Sequence, residues 1–210
     1  MTSGTSGIGR ATAFKFGKNS YIVITTTRDE SKKQAFLYEC KIQGIEAEVY
    51  LVDATKEEEV KNLIKTIVDT YGKLDVLVNN SAIAGEAKYF AQTSPNNMRN
   101  MVETNIMGVY YGMRYALLEM LKVGSGSIVN LASIAGLNGI PFAGEYGATK
   151  HAVVGMTKGA AIEYATSGIR INAVAPGAIL TDILKEAIES GAVTKETLEE
   201  KTFRHGRRYC

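Results

Sequence analysis

Residues 2–26 read TSGTSGIGRATAFKFGKNSYIVITT. Gly4, Gly7 and Gly9 mark a tight turn, Arg10–Phe16 is helix-like, and Tyr21–Thr26 is a short β-branched strand. The same alternation continues outward from this stretch. Asp29–Gln43 reads as a helix stopped by Gly44, and Glu46–Val52 as a strand. Lys56–Tyr71 carries the helical stripe Val60, Leu63, Ile64, Ile67 and Val68 and ends at Gly72. Leu74–Val78 (LDVLV) is a buried strand, and Pro95–Lys122 a long helix with Ser94 as N-cap. Ser127–Leu131 is a strand, Glu145–Thr166 a helix rich in Ala and Gly, Ile169–Val174 a strand, and Thr181–Thr202 mostly helical. Continuously apolar strands alternating with helices predict the α/β class, a doubly wound parallel sheet in three α/β/α layers. Such a sheet binds its ligand beyond the carboxyl ends of the strands. The glycine turn itself has no strand before it.

The 210 residues, 45% hydrophobic and 22% charged, suffice for one domain with an ample core. A net charge of +2 argues against nucleic acid as the main partner. Cys40 and Cys210 form neither a disulfide framework nor a zinc spacing, and His151 and His205 make no metal site. No apolar run reaches membrane-spanning length, and the first residues carry no secretory apolar segment, so a reducing, cytoplasmic setting is expected. Met98, Met101, Met107, Met113 and Met120 are read as helix packing, and His151 as facing away from any site.

Tyr146-Gly-Ala-Thr-Lys150 places two chemically useful side chains on one helix face. With 11 tyrosines and 16 lysines in the chain, about one such spacing arises by chance, so the motif alone carries little. Its company matters more. Ser133 follows a predicted strand, Asn79-Asn80 ends another, and Asn172-Ala-Val-Ala-Pro176-Gly177 ends a third, with Asn105 inside the long helix. Polar groups thus gather where a parallel sheet binds ligands. A lysine ammonium about 4 Å from a phenol is worth roughly 4 kcal/mol at an effective dielectric near 20. That would bring a tyrosine from about 10 toward 7, where an acid/base works best.

Taken together, TSGTSGIG, Asn79-Asn80, NIMG (Asn105–Gly108), Ser133, YGATK, and NAVAPG followed by Thr181 resemble the short-chain dehydrogenase/reductase family of the short single-domain type, over about residues 1–200. The resemblance implies one Rossmann-type NAD(P)-binding domain that moves hydride between a nicotinamide and a carbonyl or alcohol carbon. By motif, Tyr146 is the general acid/base, Lys150 its activator and ribose ligand, Ser133 the group orienting the carbonyl, and Asn105 the holder of a relay water. The cofactor set implied is Gly4, Ser6, Gly7, Ile8 and Gly9 at the pyrophosphate, Asp53 near the adenine, and Asn80, Ser81 and Ala82 at the ribose. Tyr146, Lys150, Pro176, Gly177, Ile179 and Thr181 complete it. The strand ending Thr26-Thr27-Arg28 has no acid until Asp29, and Arg28 suits a 2′-phosphate, so NADP is the expected cofactor and NAD the alternative. Ala152, Gly155, Gly159 and Ala160 form a small-residue stripe that permits close helix approach, and the resemblance implies a homodimer or homotetramer contact on that helix. The partner expected is a small carbonyl or alcohol, with neither nucleic acid nor membrane.

Against the family pattern, this sequence lacks the first strand and the last helix and strand. Ser3 replaces the first glycine of the loop, and residues 201–210 (KTFRHGRRYC) form an atypical basic tail. Flanking strands without their central neighbour lose buried hydrogen bonds at about 1–3 kcal/mol each, which predicts low stability. The rival reading is a truncated, inactive relative that serves as a cofactor-binding or subunit-interaction module.

Overall fold

The computed structural model describes residues 1–179 and 181. In chain order the elements are α1 (Gly7–Gly17), β1 (Val23–Thr27), α2 (Glu30–Ile42), β2 (Ala47–Leu51), α3 (Glu57–Tyr71), β3 (Val76–Asn79), α4 (Pro95–Met101), α5 (Gly108–Val123), β4 (Gly126–Leu131), α6 (Gly144–Glu163) and β5 (Ile169–Val174). Every strand pairing is parallel, as the apolar strands alternating with helices require. The expected helix over 181–202 beyond Thr181, the substrate segment over 182–201 and the basic tail lie outside the described residues.

Local chemistry sets the element ends. The Asp29 carboxylate accepts from the backbone N–H groups of Ser31 and Lys32 and starts α2, while the Ser94 hydroxyl accepts from Asn97 N–H and starts α4, each cap worth about 1 kcal/mol. The stripe Val60, Ile64 and Ile67 turns α3 onto the sheet.

One expectation needs correction. The helix expected over residues 95–122 is not uniform: a π-helical turn, Val102–Met107, joins α4 to α5. Such turns sit where a side chain is drawn out of the helical ladder. Here it is Asn105, fully buried and bonded to two other elements. The sheet is divided where the first strand of the family pattern is expected to be missing. It consists of two blocks, β2-β1 and β3-β4-β5. Met1 and Thr2 bridge them, the Met1 amine donating to Ile24 O at 2.6 Å and the Thr2 amide to Val78 O at 3.0 Å. Among the described residues no strand lies between β1 and β3 along most of their length, and no ladder joins the blocks.

The packing follows this division. One core gathers Leu77, Met113, Met120, Ile128, Val153 and Ile171 around β3-β4-β5; the other gathers Ala13, Val23, Phe36, Cys40 and Val49 around β1-β2. Met101, Met113 and Met120 are buried, in keeping with their reading as packing residues. Both blocks run in one direction, so their carboxyl ends open on the same edge. Among the described residues no helix is long and apolar enough to cross a membrane.

Candidate active site

At the carboxyl end of β4 the chain turns through Ser133 into a short helical turn, Ile134–Gly136, whose first residues Ser133 caps by accepting from Ala135 N–H at 3.2 Å. This turn lies directly on α6. A Cβ at Gly136 would stand 2.7 Å from the Lys150 carbonyl oxygen, so glycine permits the contact that sets Ser133 beside Tyr146. The Ser133 hydroxyl acts on the Tyr146 phenol and favours its ionised form. One helical turn on, the Lys150 Nζ lies 5.7 Å from the centre of the Tyr146 ring and donates to Leu131 O at 2.6 Å.

The electrostatics differ from the pairwise expectation. The Tyr146 phenol is not lowered toward neutrality; burial raises it, and the Ser133 hydrogen bond offsets only part of that. Lys150 is 2% exposed, and burial lowers its ammonium to about 8. In this environment the cost of removing water from each group exceeds the attraction between them. The consequence is a phenol that holds its proton at neutral pH beside a lysine whose charge is sensitive to pH just above neutrality.

The Asn105 Oδ1 accepts from Ile83 N–H at 2.8 Å, and its Nδ2 donates to Ile83 O and to Thr149 Oγ1. The side chain thus joins the loop after β3 to α6. Thr149, three residues beyond Tyr146, is a site residue that sequence reasoning missed; a hydroxyl between Tyr146 and Lys150 on the inner helix face was its only signal. His151 is exposed and bonds the Gly147 carbonyl oxygen, which agrees with its reading as facing away.

The second part of the site is the glycine loop. Its backbone interlocks with the end of β3: Asn80 and Ser81 N–H both donate to Thr2 Oγ1, and Asn80 Nδ2 donates to Ser3 O. Thr2 was missed as an organiser of this loop because a lone threonine carries no pattern. Ser3 sits at φ 49°, the left-handed conformation its substitution for glycine makes costly, by roughly 1–2 kcal/mol. Its N–H bond to Thr26 Oγ1 and its hydroxyl contact with Ser81 at 2.7 Å oppose that strain. At Gly9, a Cβ would collide with the Ser3 carbonyl oxygen and lie 2.6 Å from Asn80 Nδ2. Gly9→Ala is expected to displace the loop and cost about 1–3 kcal/mol, read as a lowered midpoint in thermal or urea unfolding.

The first N–H groups of α1 have no side-chain cap from Ser6, and they open on a cavity of about 720 Å³ lined by Gly7, Ile8, Thr12, Ile179 and Thr181. An uncapped helix start beside an open cavity fits a phosphate group, because backbone donors and the helix dipole both favour an anion there. Pro176 O accepts from Ile134 N–H, which ties the segment carrying Gly177 and Ile179 to the Ser133 turn. At the far side, Arg28 is exposed at the end of β1 and acts electrostatically on Asp53. Burial pushes the Asp53 carboxyl up, but hydrogen bonds from Thr55 and the charges of Arg28 and Lys56 outweigh it and hold the group below its usual value. Asp53 thus closes a turn on Thr55, and Asp29 is engaged as the α2 cap. Neither is a free carboxylate aimed at a ribose hydroxyl.

A family model described as short chain dehydrogenase matches residues 1–191. A 2,5-dichloro-2,5-cyclohexadiene-1,4-diol dehydrogenase of Sphingobium indicum is 37% identical over 194 residues, covering 91% of this chain and 76% of that protein. The solved structure of ElxO with NADP bound has a TM-score of 0.86 and 43% identity, over 95% of this chain and 80% of that one. A variant of actinorhodin polyketide ketoreductase with NADPH has a TM-score of 0.88 and 36% identity, over 96% and 78%.

Proposed function

The chain belongs to the short-chain dehydrogenase family, and from that premise we propose that it is an NADP-dependent oxidoreductase interconverting a carbonyl and an alcohol. The observation that carries this reading is the Tyr146 phenol, acted on by Ser133, beside buried Lys150, on the same strand-end edge as the uncapped start of α1. When bound, the nicotinamide supplies or accepts the hydride at the substrate carbon. Tyr146 gives its proton to the substrate oxygen during reduction, and its raised phenol keeps that proton available at neutral pH. Ser133 donates to the same oxygen and orients it. Lys150 holds positive charge near the phenol and the cofactor's ribose, and Asn105 acts through Thr149 and Ile83 to position the loop beside them.

Gly4, Ser6, Gly7, Ile8 and Gly9 would hold the pyrophosphate, with Asn80, Ser81, Ala82 and Asp53 at the adenosine end. Pro176, Gly177, Ile179 and Thr181 would lie along the nicotinamide side. The preference for NADP rests on Arg28: it is exposed where a 2′-phosphate would lie, and the nearby acids are engaged elsewhere. The neighbours with NADP or NADPH bound agree with it. NAD is the weaker cofactor in this reading. Arg28→Ala is expected to weaken NADPH binding about 10-fold or more, with NADH nearly unchanged, since a charge-assisted bond contributes about 1.5–3 kcal/mol. Titration of nucleotide fluorescence checks this, and equal loss for both nucleotides would place the phosphate elsewhere.

A homodimer or homotetramer of cytoplasmic protein completes the proposal. What supports self-association is a surface with no natural cover: Leu118, Leu121 and Ile162 are exposed, and a Cβ at Gly155 or Gly159 would meet nothing within 4 Å. The direct test of function is NADPH oxidation with a panel of small ketones. The expected result is ketone-dependent turnover; a chain that binds NADPH and turns over nothing supports the rival binding-module reading.

A further inference from the structure

Two asparagines, Asn97 of α4 and Asn105 of the π-helical turn, clip the loop after β3 to α6. Asn105 holds the near end of that loop, accepting from Ile83 N–H at 2.8 Å and donating to Thr149 Oγ1 at 3.1 Å. Asn97 repeats the pattern further along. Its Oδ1 accepts from Glu86 N–H at 3.1 Å, and its Nδ2 donates to Glu145 Oε2 at 3.4 Å. Only this orientation of the Asn97 amide satisfies both partners, since a backbone N–H needs an oxygen and a carboxylate needs a donor. Glu145 is 7% exposed, and a carboxylate so buried requires such a donor. Tyr146 stands on α6 between the two anchor points, Glu145 and Thr149. Beyond Glu86 the loop carries Tyr89 and Phe90. The Tyr89 ring meets Phe142 edge-on with centroids 4.9 Å apart, and Phe90 lies against Gly144, where a Cβ would stand 2.9 Å from its ring. Phe142 and Gly144 lead directly into Tyr146, and Phe142 holds φ 64°, a conformation that bulky side chains rarely adopt. All three rings stay exposed to solvent on this edge of the molecule.

We propose that Asn97 is a positioning residue for the carbonyl substrate. Acting through the Glu86 amide and the Glu145 carboxylate, it holds the loop so that Tyr89 and Phe90 join Phe142 in an apolar edge beside Tyr146, against which the carbon skeleton of the substrate packs. This role rests on the proposed function. The two clips divide the work. Asn105 fixes the loop where it leaves Asn80, Ser81 and Ala82, on the cofactor side, and Asn97 fixes it where it meets the substrate. Loss of the Asn97 clip therefore weakens ketone binding while sparing the chemical step and the nucleotide. A contact made equally in the ground and transition states shows itself in KM rather than in kcat.

The test is an exchange of donor and acceptor in the full chain. Asn97→Asp keeps an acceptor for Glu86 N–H but sets a second carboxylate against Glu145, and at about pH 8 the two repel. The start of α4 is kept, because the Ser94 hydroxyl accepts from the backbone at position 97 and an acid suits the first turn of a helix. With saturating NADPH and the ketone that the parent reduces best, Asn97→Asp is expected to raise KM about 10-fold, with kcat and NADPH affinity within about 3-fold of the parent. Glu145→Gln alone leaves an oxygen for Asn97 Nδ2 and is expected to hold KM within about 3-fold. Combining Asn97→Asp with Glu145→Gln rebuilds the clip with its direction reversed, and is expected to return KM to within about 3-fold of the parent. A general loss of packing is not rescued in that way. An unchanged KM in Asn97→Asp overturns the proposal, as does a double variant that fails to recover, or a loss that falls on kcat. A parent that reduces no ketone removes the proposed function and this role with it, whereas a working parent with an unmoved KM in Asn97→Asp removes this role alone.

Discussion

Tyr146→Phe is expected to lower NADPH-dependent ketone reduction by about 10²–10⁴-fold while leaving nucleotide affinity nearly unchanged. The substitution removes one oxygen atom and retains the ring against α6 and the Ser133 turn. The lost atom is the proton donor, kept protonated at neutral pH by burial. Nothing else in the described site offers a proton at that position: Lys150 Nζ is directed at Leu131 O, and the Asn105 amide is taken by Ile83 and Thr149. Single-turnover kinetics with NADPH in excess measures the chemical step directly. Reduction within 10-fold of the parent rate would remove Tyr146 from its assigned role.

Lys150→Met is expected to abolish turnover and to raise stability, an opposition that follows from burial. The Lys150 ammonium is lowered from 10.5 to about 8, a difference of roughly 3 kcal/mol against the charged form. Its hydrogen bond to Leu131 O returns about 1 kcal/mol, so methionine should gain about 1–3 kcal/mol at pH 7, or about 2–10 °C in melting temperature. The sign in pH is definite. Between about 8 and 10.5 the unfolded chain binds more protons at this lysine than the folded one, so the contribution of Lys150 to stability rises with pH across that window. The charge penalty is fully present below about 8 and absent above 10.5. The advantage of the methionine variant should therefore be largest at neutral pH and shrink toward pH 10.5. Melting curves of the two proteins from pH 7 to 10.5 check this, and a pH-independent gain, or a loss, would contradict desolvation of the ammonium as the cause. An inactive but more stable variant is what a site held against its own desolvation cost predicts.

Much of the candidate site was legible because its residues fall at strand ends that periodicity locates. Ser133 after β4, Asn80 after β3 and Pro176 after β5 could be placed before any contact was known, since strand ends gather on one edge in a parallel sheet. Tyr146 and Lys150 share a face because helical spacing requires it. What failed was the inference from spacing to electrostatics. Two charges on one helix face suggest a lowered phenol, but the phenol is raised, because the surrounding Ser133 turn and α6 exclude the water that either charge needs. Asn105 shows the same limit. Its membership of the site was readable, but its partners Ile83 and Thr149 lie 22 and 44 residues away, and those bonds accompany a π-helical turn that no local pattern announced.

The sequence by itself determined the alternation of strands and helices in a parallel sheet, the helix cap at Ser94, and the glycine turn at Gly4–Gly9. All of these depend on neighbours within a few residues: backbone conformations, caps and apolar periods. Only the tertiary structure decided that the sheet stands in two blocks bridged by Met1 and Thr2, that Asp29 and Asp53 are engaged and Arg28 is exposed, and that Tyr146 keeps its proton. Those outcomes rest on desolvation and on hydrogen bonds between distant segments, and both exist only once the segments are packed.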